Sequence, residues 1–183
     1  MCKRLERLLA FHSAPALCGI KASNLINLSE SDVSSLLDEI ELLNENHNPK
    51  IYFTFLKSSD DNALLLVYKR KTLEEHLLKE ENISFLESIG YKRSNNIFDY
   101  IDELKYRINH NDIFPHEIGV FLGYDLLDTL EFIRGNKKPV LKGLWNVYSK
   151  EEEKQVIFDT YTRCRDCVLR LVNKGFSLEN FMK

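Results

Sequence analysis

The stretch IYFTFLKSSDDNALLLVY (residues 51–68) decides the fold class. Ile51 to Leu56 is rich in aromatic and β-branched side chains, Ala63 to Tyr68 is a second β-rich run, and Ser58 to Asn62 between them is polar. Two such runs around a short polar connector read as a β-hairpin. The second run, Leu64-Leu65-Leu66-Val67, is apolar on both faces, which suits an interior strand.

Helices surround this hairpin. Upstream, Val33, Leu36, Leu37, Ile40 and Leu43 repeat at three and four residues over Ser31–Asn44, with Ser29 and Asp32 forming a capping-box-like start and Pro49 ending the loop beyond. Downstream, Thr72 with Glu75 starts a helix carrying Leu73, Leu77 and Leu78; a break is expected near Glu81-Asn82, and Ile83, Leu86 and Ile89 lead to a stop at Gly90. Asn95 or Asn96 opens a helix striped by Ile97, Ile101, Leu104 and Ile108. Pro115 suits the first turn of a short helix, His116–Leu122, closed by Gly123, and Leu126–Arg134 closes at Gly135. Val140–Tyr148 reads as a strand containing Trp145, and Ser149 with Glu152 caps a last helix striped by Ile157, Tyr161, Cys164, Val168 and Leu171. Ala16–Ile20, after Pro15, reads as one more strand, and Met1–Phe11 as a charged amphipathic helix. Three or four strands and about seven helices, with a hairpin as the only local strand pair, give an α+β fold: a small, mainly antiparallel sheet in a single globular domain over residues 1–183.

Composition narrows the function classes. The chain is 44% hydrophobic with seven Gly and four Pro, so it can build a core and is not globally disordered. A net charge of −3 gives no bulk attraction to nucleic acid or to an acidic membrane. No run approaches the 18–20 uncharged apolar residues of a membrane span, and the N-terminus is too polar for a signal peptide, so a cytoplasmic location is expected. Charge is blocked: Ile26–Asn48 holds six acids and no Lys or Arg, whereas Pro49–Lys71 holds five bases. Such blocks are ordinarily solvated faces; read functionally, they offer a surface to a protein partner or a small anionic ligand.

Four groups of residues bear on chemistry. Cys164-Arg-Asp-Cys167 has CxxC spacing, but zinc needs a second pair, and a redox pair needs a helix N-terminus rather than the middle of a helix; core cysteine is the better reading, and no metal site is assigned. The other two thiols are Cys2 and Cys18, all four being expected to stay reduced in the cytosol. Ile118–Ile133 resembles a helix-turn-helix, yet its second helix would present Asp125, Asp128 and Glu131 to phosphates, which argues against DNA binding. Phe114-Pro-His-Glu117 places His116 and Glu117 in a first helical turn, where a neutral imidazole beside a carboxylate is a usable general base. His12-Ser-Ala-Pro15, followed by Cys18, Lys21 and Asn24, could line a pocket, with His12 beside Ser13 or Cys18 as a base–nucleophile pair.

Three stretches, HSAPALCGIKASNL (12–25), FPHEIGVFLGY (114–124) and GLWNVY (143–148), resemble the bacterial family DUF3793, in the same order and over nearly the whole chain. The resemblance implies a small single-domain protein and no particular activity. Two main functions remain open. One is a non-catalytic binding or adaptor module. The other is a small-ligand protein, hydrolase or transferase, with His116 as base, Glu117 orienting it, His12 nearby, and Lys21, Asn24 and Tyr124 holding the ligand. No cofactor is indicated by any motif.

Overall fold

The structure is a computed structural model that describes residues 1–44, 50–59 and 62–181, so Pro49 and the hairpin-tip residues Asp60 and Asp61 lie outside the described residues. The chain divides into two compact units, Met1–Thr72 with Tyr161–Lys183, and Leu73–Thr160.

The first unit is built on the hairpin. Strands β2 (Ile51–Ser58) and β3 (Asn62–Lys69) pair antiparallel, and β1 (Ser23–Ser29) pairs antiparallel with the other edge of β3, giving the order β1-β3-β2. The strand that is apolar on both faces is therefore the central one, and the fold is α+β as its sequence indicates. A register shift falls between Phe55 and Lys57: Ile51 and Phe53 belong to the core, Phe55 packs against it, and Leu56, at the shift, is buried as well. Helices α1 (Lys3–Leu17) and α2 (Glu30–Asn44) cover one face. Leu5, Leu9 and Ala14 of α1, and Leu36 and Ile40 of α2, form one core with Ile26, Leu28, Phe53, Leu65 and Val67. The C-terminal half of α8 (Glu151–Asn173) adds Val168 and Val172, and a final 3₁₀ turn (Leu178–Phe181) adds Leu178.

Residues Ala16–Ile20 are not a strand. They are the end of α1 and the turn that follows, and β1 comes later, at Ser23. Pro15 sits inside the last turn of α1, where the carbonyl that loses its donor belongs to exposed Phe11, while Ala14, Ala16 and Leu17 continue the buried face. The turn closes through Gly19, whose φ of +73° is left-handed, with the Ile20 and Lys21 amides both donating to the Pro15 carbonyl.

The second unit holds the end of α3 (Arg70–Leu77), α4 (Glu80–Ser88), α5 (Ile97–His110), α6 (Ile118–Phe121), α7 (Leu126–Arg134), strands β4 (Leu141–Lys142) and β5 (Asn146–Val147), and the start of α8. Helix α3 begins at Arg70, directly after β3, so Thr72 lies inside it and is not its cap. The α3–α4 break falls at Leu78-Lys79 rather than Glu81-Asn82; Asn82 is buried and its side-chain amide donates to the His76 carbonyl at 2.8 Å, across the break. The Asn96 side chain caps α5 by accepting from the Phe98 amide, and Asp125 caps α7 by accepting from the Leu127 amide. Val140–Tyr148 is not one strand but a tight hairpin, β4–β5, turning at Gly143 to Trp145. Gly143 permits that turn to sit down: a Cβ there would lie 2.2 Å from the Phe158 ring. Among the described residues, no helix is long and apolar enough to cross a membrane.

Candidate functional site

The sequence-derived residues fall into both units. His12, Lys21 and Asn24 belong to the first, and His116, Glu117 and Tyr124 to the second.

In the first unit, His12 lies on the exposed side of α1 with its ring edge-on to Phe11, and partial desolvation lowers its pKa against a smaller opposing pull from Asp32. Ser13 is buried and its hydroxyl donates to the Leu9 carbonyl at 2.6 Å, an in-helix bond that engages the proposed nucleophile. Asn24 also has a structural bond: its side-chain oxygen accepts from the Ala16 amide, tying β1 to the end of α1. Lys21 is buried, and burial pushes its ammonium down to about 8.

In the second unit, α6 is a single turn beginning at Ile118, so His116 and Glu117 precede the helix instead of occupying its first turn. The two side chains have separate surroundings. Glu117 is buried; its carboxylate accepts from the Tyr91 hydroxyl at 3.3 Å and lies 3.5 Å from the Arg107 guanidinium, which itself covers the Tyr91 ring at 4.2 Å. Desolvation, followed by the Glu117 charge, raises the Tyr91 pKa, keeping the phenol protonated as the donor. His116 is exposed, with its ring edge-on to Phe132 at 5.1 Å. Glu117 therefore braces α5 and the Tyr91 loop, and orienting His116 is not the role its contacts suggest.

His116 lines a cleft of about 300 Å³ together with Gly119, Tyr124, Thr129, Phe132, Leu144, Trp145 and Asn146. One wall is the α6–α7 pair and the other is the β4–β5 hairpin. Tyr124 and Trp145 stack at 4.6 Å with an interplanar angle of 19°, and Phe158 and Trp145 meet edge-on at 4.5 Å. Gly119 keeps the α6 side thin, since a Cβ there would lie 2.8 Å from the Thr129 hydroxyl and 3.1 Å from the Tyr124 ring.

The hairpin wall is held by Asp128. This carboxylate is 1% exposed and accepts from the Trp145 indole N–H at 2.9 Å and from the Tyr148 amide at 2.8 Å. The Lys154 ammonium stands 4.0 Å from it and 2.8 Å from Asp125. Burial pulls the Asp125 carboxyl up, but the Lys154 hydrogen bond and the Leu127 amide outweigh it, so Asp125 stays below the ordinary range. Thus α7 buries Asp128, Thr129 and Glu131 and exposes Leu127, Phe132 and Ile133, the reverse of the acidic outer face expected for a helix-turn-helix reading. Asp128, Thr129 and Trp145, which line this candidate cleft, and Lys154, which pairs with Asp125 beside it, are not singled out as site residues by the sequence alone. The one available signal is the chain's single Trp, two residues after Gly143.

A second hollow of about 470 Å³ shares Tyr124 and is polar, lined by His76, Lys79, Asn82, Asp125 and Lys154. Among the described residues, His76 Nε2 is buried there without a hydrogen-bond partner, and desolvation, then Lys79, lowers its pKa. Among the described residues, no group of three or more His, Cys, Asp or Glu side chains is arranged to hold a metal ion.

The cleft joins two of the sequence stretches singled out above, FPHEIGVFLGY and GLWNVY, from opposite walls. No curated protein and no solved structure matches the chain. Residues 9–182 match the family described as "Protein of unknown function (DUF3793)". The chain thus belongs to the DUF3793 family.

Proposed function

We propose that the second unit is a non-catalytic binding module for a planar, largely apolar small molecule with a polar edge. The observation that carries this reading is the preformed aromatic cleft: the Tyr124, Trp145 and Phe132 rings line it with apolar surface, and His116, Thr129 and Asn146 supply polar groups. Its volume lies at the small end of the roughly 300–1,000 Å³ typical of small-molecule sites. Binding is favoured over catalysis because the carboxylates near His116 are engaged elsewhere, Glu117 by Tyr91 and Arg107, and Asp128 by Trp145 and Tyr148. With no carboxylate among the described residues paired to it, His116 is better suited to hydrogen bonding than to general base work.

Trp145 is the only tryptophan, so its emission reports the cleft directly. Titration with naphthalene- and purine-sized aromatic fragments should give a saturable change in that emission. Leu144→Arg, at an exposed rim position, should weaken it about tenfold or more through the charge placed against an apolar ligand. If no fragment produces a saturable change, or if the Leu144 variant binds as tightly as the wild type, the reading fails.

A further inference from the structure

The polar hollow of the second unit, about 470 Å³, shares Tyr124 with the aromatic cleft and no other described lining residue. One wall is the break between α3 and α4. There the Asn82 side chain, 1% exposed, donates to the His76 carbonyl at 2.8 Å, and the Lys79 carbonyl accepts from the Asn82 and Ile83 amides, both at 3.0 Å. The backbone that carries His76 and Lys79 is thus fixed. The other wall is the start of α7, where the Asp125 carboxylate accepts from the Leu127 amide at 3.0 Å and from the buried Lys154 ammonium at 2.8 Å. Asp125 is still about a third exposed, so it keeps room for one more donor. His76 Nε2 is buried with no hydrogen-bond partner among the described residues, and an orphaned polar atom favours any group that can bond it.

We propose that this hollow is a second binding site, for a small zwitterion of the free amino-acid class. The signs of its charged lining select that class: Lys79 and Lys154 are cations, Glu81 and Asp125 anions. A simple anion would meet two carboxylates, and a simple cation would meet two ammoniums. A molecule that carries both charges can pair each with its opposite, which a site of mixed sign rewards. Lys79 and Glu81 are exposed and line the hollow, whereas Lys154 is already committed to Asp125. Lys79 therefore takes the ligand carboxylate, Glu81 and Asp125 take its ammonium, and His76 Nε2 makes one hydrogen bond to it. Desolvation and Lys79 keep the His76 ring neutral at pH 7, so its Nε2 can donate or accept according to tautomer. The volume falls within the roughly 300–1,000 Å³ of small-molecule sites, and the polar lining separates this ligand from the apolar one proposed for the cleft.

The test is NMR of the histidine ring signals of the full chain at neutral pH, with the His76 signal assigned by its loss in His76→Gln. The probes are the common free L-amino acids, each titrated to its solubility limit, with inorganic phosphate and ethylamine as single-charge controls. At least one amino acid should shift the His76 signal saturably, and neither control should. The N-acetyl and α-amide derivatives of the strongest binder each lack one charge and should bind about tenfold more weakly or worse. Lys79→Glu, at an exposed position, should weaken binding by about the same factor with the melting temperature unchanged. A His76 signal that no amino acid shifts, an equal response to phosphate or ethylamine, derivatives that bind as well as the parent, or a Lys79→Glu chain that binds like the wild type would each overturn the proposal. The readout is His76 and not Trp145, so its failure is separate from a failure of the aromatic cleft.

Discussion

Replacing Asp128 by Ala should loosen the cleft wall more than any single change at its rim. The carboxylate is 1% exposed and satisfies two buried donors, the Trp145 indole N–H and the Tyr148 amide, with Lys154 at 4.0 Å. Hydrogen bonds to a charged acceptor contribute about 1.5–3 kcal/mol each, and removing one member of a buried charged cluster typically costs about 3–5 kcal/mol because the partners are left unpaired. Lys154 retains Asp125 at 2.8 Å, so the expected loss is about 3–4 kcal/mol, in the lower part of that range. Asp128→Asn keeps one acceptor oxygen and should lose roughly half as much. Urea unfolding followed by Trp145 emission reads the second unit, with far-UV circular dichroism as the whole-chain control. The Ala variant should also show red-shifted native emission, because the indole is no longer held. A loss below about 1 kcal/mol, with unshifted emission, would refute the reasoning, since such a value belongs to exposed polar contacts.

Three further outcomes are expected. His116→Ala should change stability by less than about 0.5 kcal/mol, as for other exposed positions, while weakening fragment binding; Glu117→Ala should do the opposite, losing about 2–3 kcal/mol with affinity retained, as chemical denaturation and fluorescence titration would show. Gly143→Ala places a Cβ 2.2 Å from the Phe158 ring and should cost about 1–3 kcal/mol by overpacking, with an altered near-UV spectrum of Trp145. Lys21 falls from an ordinary 10.5 to about 8 on folding, so between those pH values the unfolded chain binds the extra proton and folding stability rises with pH. Relative to Lys21→Met, the wild type should therefore gain up to about 3 kcal/mol between pH 7 and 10.5, and pH-dependent denaturation of the two proteins would reveal a flat difference if the amine were not desolvated.

Much of the α+β scaffold is legible from local pattern. The Ile51–Tyr68 hairpin shows because both runs are β-rich and the connector is polar, and α2, α5 and α7 show because their apolar spacing is regular and their caps are standard residues. The errors share a cause in side chains whose role is set by distant partners. Pro15 looks like a breaker until Leu5, Leu9, Ala14 and Leu17 are seen as one buried face. Ser23–Ser29 is not among the strands expected from sequence, yet Ile26 and Leu28 need only one face to join the core. Gly143 splits an apparent strand because Phe158 occupies the space above it, a fact with no local signature.

The candidate site is less legible than the fold. His116 and Tyr124 are readable as a polar-aromatic motif, and both do line the cleft. The carboxylate next to His116 is a neighbour only along the chain, since Glu117 turns to Arg107 and Tyr91. Asp128 reads as a solvated charge on a helix, and its burial depends on an indole and an amide supplied by a different hairpin. Periodicity reports which face of an element is apolar; it carries no information about which buried acid has found two donors.

Heteronuclear NMR of the ¹⁵N-labelled chain, titrated with the aromatic fragments, tests the central claim most directly. The account predicts concerted, saturable shifts of the Trp145 indole N–H and of the Gly119, Thr129 and Gly143 amides, with the first-unit core amides of Ile26, Leu65 and Val67 unmoved. Shifts that bypass these cleft resonances, or a Trp145 indole signal that stays fixed to the solubility limit of every fragment, would contradict it.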